Sequence, residues 1–178
     1  MMKAITYLLA AFSLFVFSIS AEPPSAGQIL SQAETRAATE HKAIFVHFGA
    51  SWCPWCRRLD AFLDRPDIKP VFDKYFVPIK IVVQEDDNHK ALENPGGDEL
   101  LQKFGGPDGL PFSAFLDAQG KLIRNSINPA TGAGRGNIGF PEEPDEVDWF
   151  ILMMRTAAPQ ISADDVQAIK SALSNPKE

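Results

Sequence analysis

The fold of this chain is decided by a short segment at residues 48–58, which reads Phe48-Gly49-Ala50-Ser51-Trp52-Cys53-Pro54-Trp55-Cys56-Arg57-Arg58. The segment holds both cysteines of the protein. Two cysteines placed at random in a chain of this length would stand three positions apart only about 1% of the time. On the first turn of a helix, sulfurs at i and i+3 can meet and close a small, easily opened disulfide. The spacing therefore predicts a redox-active disulfide between Cys53 and Cys56.

The segment lies between a predicted strand and a predicted helix. The run Ala43–Phe48 is too short for a helix and rich in strand-forming residues, and it ends at Gly49. Apolar residues then recur at helical spacing, namely Trp55, Leu59, Phe62 and Leu63. Charged residues such as Asp60 and Asp64 are left for the other faces of that helix. Cys53 is therefore expected at the helix N-terminus, where unpaired backbone N–H groups and the helix dipole stabilise a thiolate.

Three neighbours also favour Cys53 as the reactive thiol. Pro54 is suited to the first helical turn, because the N–H that proline lacks has no partner to lose there. Arg57 and Arg58 add positive charge nearby, although the alternative is that both are simply solvated helix residues. We expect Cys53 to be the nucleophile and Cys56 to be the more sheltered thiol.

Strand and helix patterns alternate along the rest of the chain without internal repeats. Further helices are predicted after a Ser25 cap, around 67–75, at 98–104, at 145–157 and after a Ser162 cap. Further strands are predicted at 79–83, 112–117 and 121–125, the last two as a hairpin through 118–120. A long loop rich in glycine and proline covers 126–144. This order predicts an α/β fold in which helices cover a mixed sheet.

Length and composition fit one ordinary domain. The 178 residues are 45% hydrophobic, 22% charged and 10% aromatic, which excludes collagen-like, disordered and multi-span membrane proteins. The net charge of −6 argues against nonspecific binding to nucleic acid. We expect a monomer with no nucleic-acid partner, no metal and no cofactor beyond the Cys53–Cys56 disulfide.

The chain begins with the layout of a secretory signal peptide. Lys3 precedes an uncharged, mostly apolar run at 4–17, and small residues follow up to Ala21. Cleavage after Ser20 or Ala21 predicts an exported protein, either periplasmic or secreted. The alternative is an uncleaved membrane anchor, because residues 4–21 carry no charge.

Three features of the sequence match one known superfamily. The first is the motif Trp52-Cys53-Pro54-Trp55-Cys56 between a strand and a helix. The second is Gly109-Leu110-Pro111 at the start of a strand, and the third is the hairpin turn Asp117–Gly120. Through them the chain resembles the thioredoxin superfamily from about residue 43 to 157, and its subtype resembles secreted bacterial thioredoxin-like thiol–disulfide oxidoreductases. The resemblance implies a three-layer sandwich with a central mixed β-sheet, here with an extra C-terminal helix.

The chain departs from classical thioredoxin in its Pro54-Trp55 dipeptide, in the Ser126–Pro144 insertion and in the helix after Pro159. The predicted organisation is a signal peptide at 1–21, a linker and helix at 22–42, a thioredoxin-like domain at 43–157 and a helical extension at 158–178.

The resemblance implies roles for residues around the cysteine pair. Pro111 matches a proline that follows a cis peptide bond and faces the nucleophile, and Leu110 matches the residue whose backbone pairs with a bound peptide. Independently, Pro111 stands just before a strand, where proline is costly, so a tight turn is plausible. The alternative is an ordinary trans proline. We expect Trp55 to be partly exposed and to contact substrate, and Trp52 to be packed and structural.

His47 and Lys80 complete the predicted site. His47 stands six residues before Cys53, where thioredoxins usually carry a buried carboxylate, and Lys80 matches the lysine that pairs with it. A neutral imidazole can accept a proton near neutral pH, so His47 is predicted to help deprotonate Cys56. Burial and the like charge of Lys80 would both favour the neutral ring. The alternative is that His47 points away and only packs.

The predicted function is disulfide exchange with protein thiols outside the cytosol, assisted by a membrane-bound or soluble redox partner. A noncatalytic binding module with the same fold, such as a chaperone or assembly factor, is the main alternative. Delivery of a soft metal through the cysteine pair is a third. Zinc is disfavoured because a second cysteine pair is absent, and a purely structural role is disfavoured because so short a loop constrains the unfolded chain little.

The Gly134–Gly139 segment spells the dinucleotide pattern G-x-G-x-x-G. No predicted strand ends before it, and Phe140-Pro141 follows where a helix should begin. The segment is therefore interpreted as a loop near the active site, and no cofactor is expected from it.

Overall fold

The computed structural model describes residues 22–106, 109–131 and 136–174. The predicted signal peptide at 1–21 and the start of the glycine motif, Gly134 and Arg135, lie outside the described residues. The main elements are α1 Ala26–Glu40, β1 Ala43–Gly49, α2 Pro54–Leu63, α3 Lys69–Tyr75, β2 Phe76–Val82, α4 Gly97–Lys103, β3 Phe112–Leu116, β4 Leu122–Asn125, α5 Pro144–Ala157 and α6 Ala163–Ser174.

The four strands form one mixed sheet in the order β2-β1-β3-β4. β1 pairs in parallel with β2 and antiparallel with β3, and β3 pairs antiparallel with β4. The parallel register places His47 opposite Lys80, as the resemblance implied. Every residue of β1 is buried, which explains why this strand reads as a nearly continuous apolar run. The predicted α/β fold with a mixed sheet is confirmed.

β2 begins three residues before the predicted strand at 79–83 and includes Pro78. Proline cannot donate a hydrogen bond to a neighbouring strand, and the sequence pattern therefore favoured a later start. The sheet tolerates Pro78 because β2 is an edge strand.

Helices cover both faces of the sheet and make it the middle of three layers. Ile44, Val46 and Phe48 alternate towards one face, where they share a core with the helices α1 and α4. Phe45 points to the opposite face and belongs to a second core built with α2, α3, α5 and α6. Its ring centroid lies 4.9 Å from that of Phe115. β1 is therefore held on both faces, and its C-terminal end is a rigid support for the residues that follow.

Local capping signals that could be identified in the sequence are present. The Ser25 side chain accepts from the N–H of Gln28 while the Gln28 side chain accepts from that of Ser25, which forms the predicted capping box. The N–H of Asp165 donates to Ser162 Oγ at the start of α6. None of the helices in the described ranges combines the length and apolar character needed to cross a membrane.

Candidate active site

Cys53 and Cys56 form a disulfide at the start of α2. Cys53 is the N-cap residue of the helix, and Pro54 occupies its first turn, as predicted. The N–H of Cys56 donates to Cys53 Sγ over 3.1 Å. In the reduced protein this N–H and the helix dipole both stabilise a thiolate on Cys53.

The two cysteines differ in their neighbours, whereas their exposure is nearly the same. Cys53 is 2% exposed and Cys56 is fully buried, so the predicted contrast in shelter is small in the oxidised state. Ala50 and Leu110 pack against the pair. The two sulfurs therefore differ in the residues around them and not in their exposure to solvent.

β1 comes closest to the disulfide at Gly49. A methyl group built on Gly49 would lie 3.2 Å from Cys56 Sγ and 3.8 Å from Lys80 Cε. Any larger residue would therefore have to displace Cys56, and Gly49 belongs to the site. The sequence pattern indicates only that this glycine ends a strand.

His47, Asp60 and Lys80 form a hydrogen-bonded group that we call the inner cluster. Asp60 follows Cys56 by four residues on α2, so the two side chains share one face of the helix. Its carboxylate accepts from His47 Nε2 over 2.8 Å and from Lys80 Nζ over 2.5 Å. His47 is 5% exposed, and its Nδ1 is buried with no hydrogen-bond partner among the described residues.

The Asp60 carboxylate changes the electrostatics expected for this group. Burial alone would raise the pKa of Asp60, but hydrogen bonds from His47 and Lys80 outweigh that effect and hold the pKa below its ordinary value. His47 and Lys80 do lie opposite each other, but the Asp60 carboxylate bonds to both, so the like charge expected to act on His47 has a negative group between. From the sequence pattern alone, Asp60 belongs with the charges on the other faces of α2. Its spacing of four residues from Cys56 was the signal that could have identified it.

Trp55, which lies between the two cysteines in the chain, and Leu110, which packs against them, line an open cleft of about 270 Å³ that we call the outer cleft. Its lining residues are Trp55, Leu110, Pro111, Ile138, Gly139, Phe140, Glu142, Glu143 and Glu146. The three residues predicted to bind substrate, Trp55, Leu110 and Pro111, thus lie together. The Leu110–Pro111 peptide bond is cis, as predicted. Trp55 is 45% exposed, which confirms its predicted partial exposure.

Trp52 is placed differently from the prediction. It is 52% exposed rather than packed, so its expected place in the core is wrong. Its indole N–H donates to the carbonyl oxygen of Gln84 over 2.7 Å. Trp52 is therefore tied to the loop after β2 by a hydrogen bond, and this bond replaces the packing that was expected.

The turn before Cys53 is fixed by two charged residues. The buried carboxylate of Glu85 accepts from the N–H and from Oγ of Ser51, each over 2.6 Å. Arg57 Nη1 donates to the carbonyl oxygen of Ser51 over 2.8 Å, so this arginine holds the turn in addition to contributing charge. Glu85 was missed because it lies 34 residues from Ser51. In the described part of the chain, no three His, Cys, Asp or Glu side chains are placed to hold a metal ion.

Comparison with known proteins gives one family and several individual similarities. A family model described as thioredoxin-like matches residues 26–118, from α1 to the turn after β3. The chain is 31% identical over 125 residues to the chloroplastic thioredoxin-like protein HCF164 of Arabidopsis thaliana, an alignment that covers 67% of this chain. The chain spans 42% of the length of that curated relative.

Two solved structures are similar at lower identity. The disulphide isomerase of Xylella fastidiosa Temecula1 is 23% identical, with a TM-score of 0.49 and coverage of 89% of this chain and 94% of that one. The oxidised C-terminal domain of DsbD from Neisseria meningitidis is 18% identical, with a TM-score of 0.46 and coverage of 75% and 99%. At these scores neither structure bears on the function of this chain.

Proposed function

The chain belongs to the thioredoxin-like family and carries a Cys-x-x-Cys disulfide, and from this premise we propose that it exchanges disulfides with protein thiols outside the cytosol. The observation that carries the proposal is the position of that disulfide. Its first sulfur caps α2, and its second lies against the glycine that ends β1. Export is supported by the signal-peptide layout of residues 1–21.

Exchange takes place in two steps that conserve atoms and electrons. The Cys53 thiolate attacks a substrate disulfide, so that Cys53 Sγ bonds to one substrate sulfur and the other leaves as a thiolate. The Cys56 thiolate then attacks Cys53 Sγ, forms the Cys53–Cys56 disulfide and releases the second substrate thiolate. Two electrons pass from the protein dithiol to the substrate, and the reverse sequence oxidises a substrate dithiol.

The inner cluster serves the second step, in which Cys56 must lose its proton. Asp60 is ionised and can only accept, so the hydrogen between it and His47 belongs to Nε2. In that tautomer the buried Nδ1 carries a lone pair. His47 is the proton acceptor that we assign, and Asp60 holds the tautomer and stabilises the imidazolium that forms.

Turnover of a protein disulfide by cysteine variants tests the proposed activity. The reduced protein should reduce insulin disulfides, and the oxidised protein should oxidise a protein dithiol. Cys53→Ser should abolish both activities, and Cys56→Ser should abolish turnover. Activity that persists in Cys53→Ser would contradict the enzymatic role and favour a noncatalytic binding module.

The location is tested separately by fractionation of bacterial cells that express the full chain. We expect a processed protein outside the cytosol whose N-terminal residue is Ala21 or Glu22. An unprocessed chain in the cytosolic fraction would contradict export, and an unprocessed chain in the membrane fraction would indicate an anchor.

A further inference from the structure

One wall of the outer cleft comes from the segment 137–146, which leads from the predicted insertion into α5. Asn137 fastens this wall to the strand β3 and the turn before it. Its Nδ2 donates to the carbonyl oxygens of Gly109 and Pro111, each over 3.0 Å. Its Oδ1 accepts from the hydroxyl of the fully buried Ser126 over 2.7 Å. The wall is therefore fixed in place beside Leu110, the residue that packs against the disulfide.

Arg58 ties the same wall to α2, two residues after Cys56. Its guanidinium lies 5.3 Å from the ring centroid of Trp55 and 5.0 Å from that of Phe140. It also forms an ion pair with Glu142. Arg58 therefore lies over both aromatic rings and is a fixed cation at the edge of the cleft.

The charge of the cleft is negative. Three of its lining residues are glutamates, and none of them is basic. Arg58 neutralises Glu142, which leaves the charges of Glu143 and Glu146. Glu146 is held at the start of α5, where Oε2 accepts from the N–H groups of Glu142 and Glu143. Glu143 and Glu146 also form the capping box of α5, in which each side chain accepts from a backbone N–H group of the other residue. The cleft thus combines the exposed part of Trp55 with two carboxylates that have no basic partner in its lining.

We propose that the outer cleft selects protein substrates in which a lysine or arginine neighbours the reacting cysteine. A basic side chain has an aliphatic stem that covers apolar surface and a charged head that pairs with a carboxylate. The exposed part of Trp55 matches the stem, and Glu143 and Glu146 match the head. This inference rests on the proposed function and names the substrate class for the same site.

The test uses three disulfide-linked peptide dimers that differ only in the residue after cysteine, which is Lys, Gln or Glu. Stopped-flow fluorescence gives the second-order rate constant for attack by the reduced protein on each dimer. We expect the Lys peptide to react about two- to fivefold faster than the Glu peptide, the range typical of exposed charge pairs. Glu143→Gln and Glu146→Gln should each reduce this ratio, and 0.5 M salt should reduce it as well. Glu99→Gln is the matched control, because Glu99 is also an exposed acid in a first helical turn.

The outcomes separate the substrate preference from the activity itself. Equal rates for the Lys and Glu peptides, or a ratio that survives in Glu143→Gln/Glu146→Gln, would overturn the inference and leave disulfide exchange intact. Reduction of none of the peptides would overturn the proposed function, and the inference with it. Both glutamates belong to the capping box of α5, and glutamine keeps an oxygen that accepts the backbone N–H, so both variants should retain the start of the helix while they lose the charge.

Discussion

The inner cluster is linked to the disulfide through Asp60, four residues after Cys56 on α2, and the outer cleft through Leu110, and the polar groups of the two regions are paired in opposite ways. In the inner cluster, His47 is 5% exposed and the carboxylate of Asp60 is shared by two donors within the protein. In the outer cleft, Trp55 is 45% exposed, and Glu143 and Glu146 have no basic partner within the lining. His47, Asp60 and Lys80 also line a cleft, of about 360 Å³, so the two regions differ in how their polar groups are paired and not in access to solvent. Groups already bonded to each other serve a step that is the same for every substrate, whereas carboxylates without a basic partner in the lining serve recognition. Changes to the two regions should therefore have distinguishable kinetic effects.

Apart from loss of the nucleophile in Cys53→Ser, the largest effect is expected from Cys56→Ser. A serine oxygen cannot displace the substrate sulfur from Cys53, so turnover should fall on the order of 100-fold or more with every substrate, whatever its charge. Steady-state reduction of the Lys and Glu peptides measures this. Turnover near that of the unmodified protein would show that release does not need Cys56. The proposed role of the inner cluster, which is to deprotonate Cys56, would then be wrong.

The next largest effect is expected from His47→Ala and Asp60→Asn. Each removes part of the group that takes the proton from Cys56, so release of the Cys53 mixed disulfide should slow about 10- to 100-fold while its formation stays nearly unchanged. Stopped-flow measurement of both steps checks this, with Asp64→Asn as the control on the same helix. Equal effects on both steps, or no effect on either, would mean that His47 only packs and that the proton goes to water.

Glu85→Gln should have a smaller effect that belongs to neither region. The side-chain amide of the variant keeps one oxygen that accepts from Ser51, but an NH₂ group replaces the second oxygen. Loss of that hydrogen bond loosens the turn that carries Cys53. The loss of about 1 kcal/mol corresponds to about fivefold in rate, and it should appear in formation and release alike. The same stopped-flow traces measure it. A change confined to release would instead add Glu85 to the inner cluster.

Sequence reasoning succeeded where the determining contacts are local. Three features depend on residues within a few positions of one another: the strand β1, the N-cap position of Cys53 and the capping box of Ser25. It failed for Glu85 and Asn137, whose partners lie 34 and 28 residues away. Hydrogen bonds between such distant residues follow from the packing of loops, for which one sequence carries no periodic signal.

The smallest effect on activity is expected from Asp165→Asn, which lies in neither region. Asp165 accepts from Tyr75 Oη and Lys74 Nζ, and hydrogen bonds from these residues lower its pKa from 3.8 to about 2. Because the folded-state pKa is depressed, the stabilisation is fully present above about pH 4 and is lost as the pH falls towards 2.

Urea unfolding at several pH values checks this prediction. The variant should be less stable by about 1 kcal/mol at pH 7, and the difference should disappear near pH 2. Both steps of peptide exchange should keep their rates at pH 7. A slower release in Asp165→Asn would show that the inner cluster is coupled to α6.

The most direct test of the central claim is to locate the covalent intermediate by mass spectrometry. Cys56→Ser is mixed with a protein disulfide, quenched with acid and digested without reductant, in parallel with Cys53→Ser. We expect one substrate adduct, on Cys53 of the Cys56→Ser variant, and none on Cys53→Ser. An adduct on Cys56 of the Cys53→Ser variant, together with none on Cys53, would contradict it.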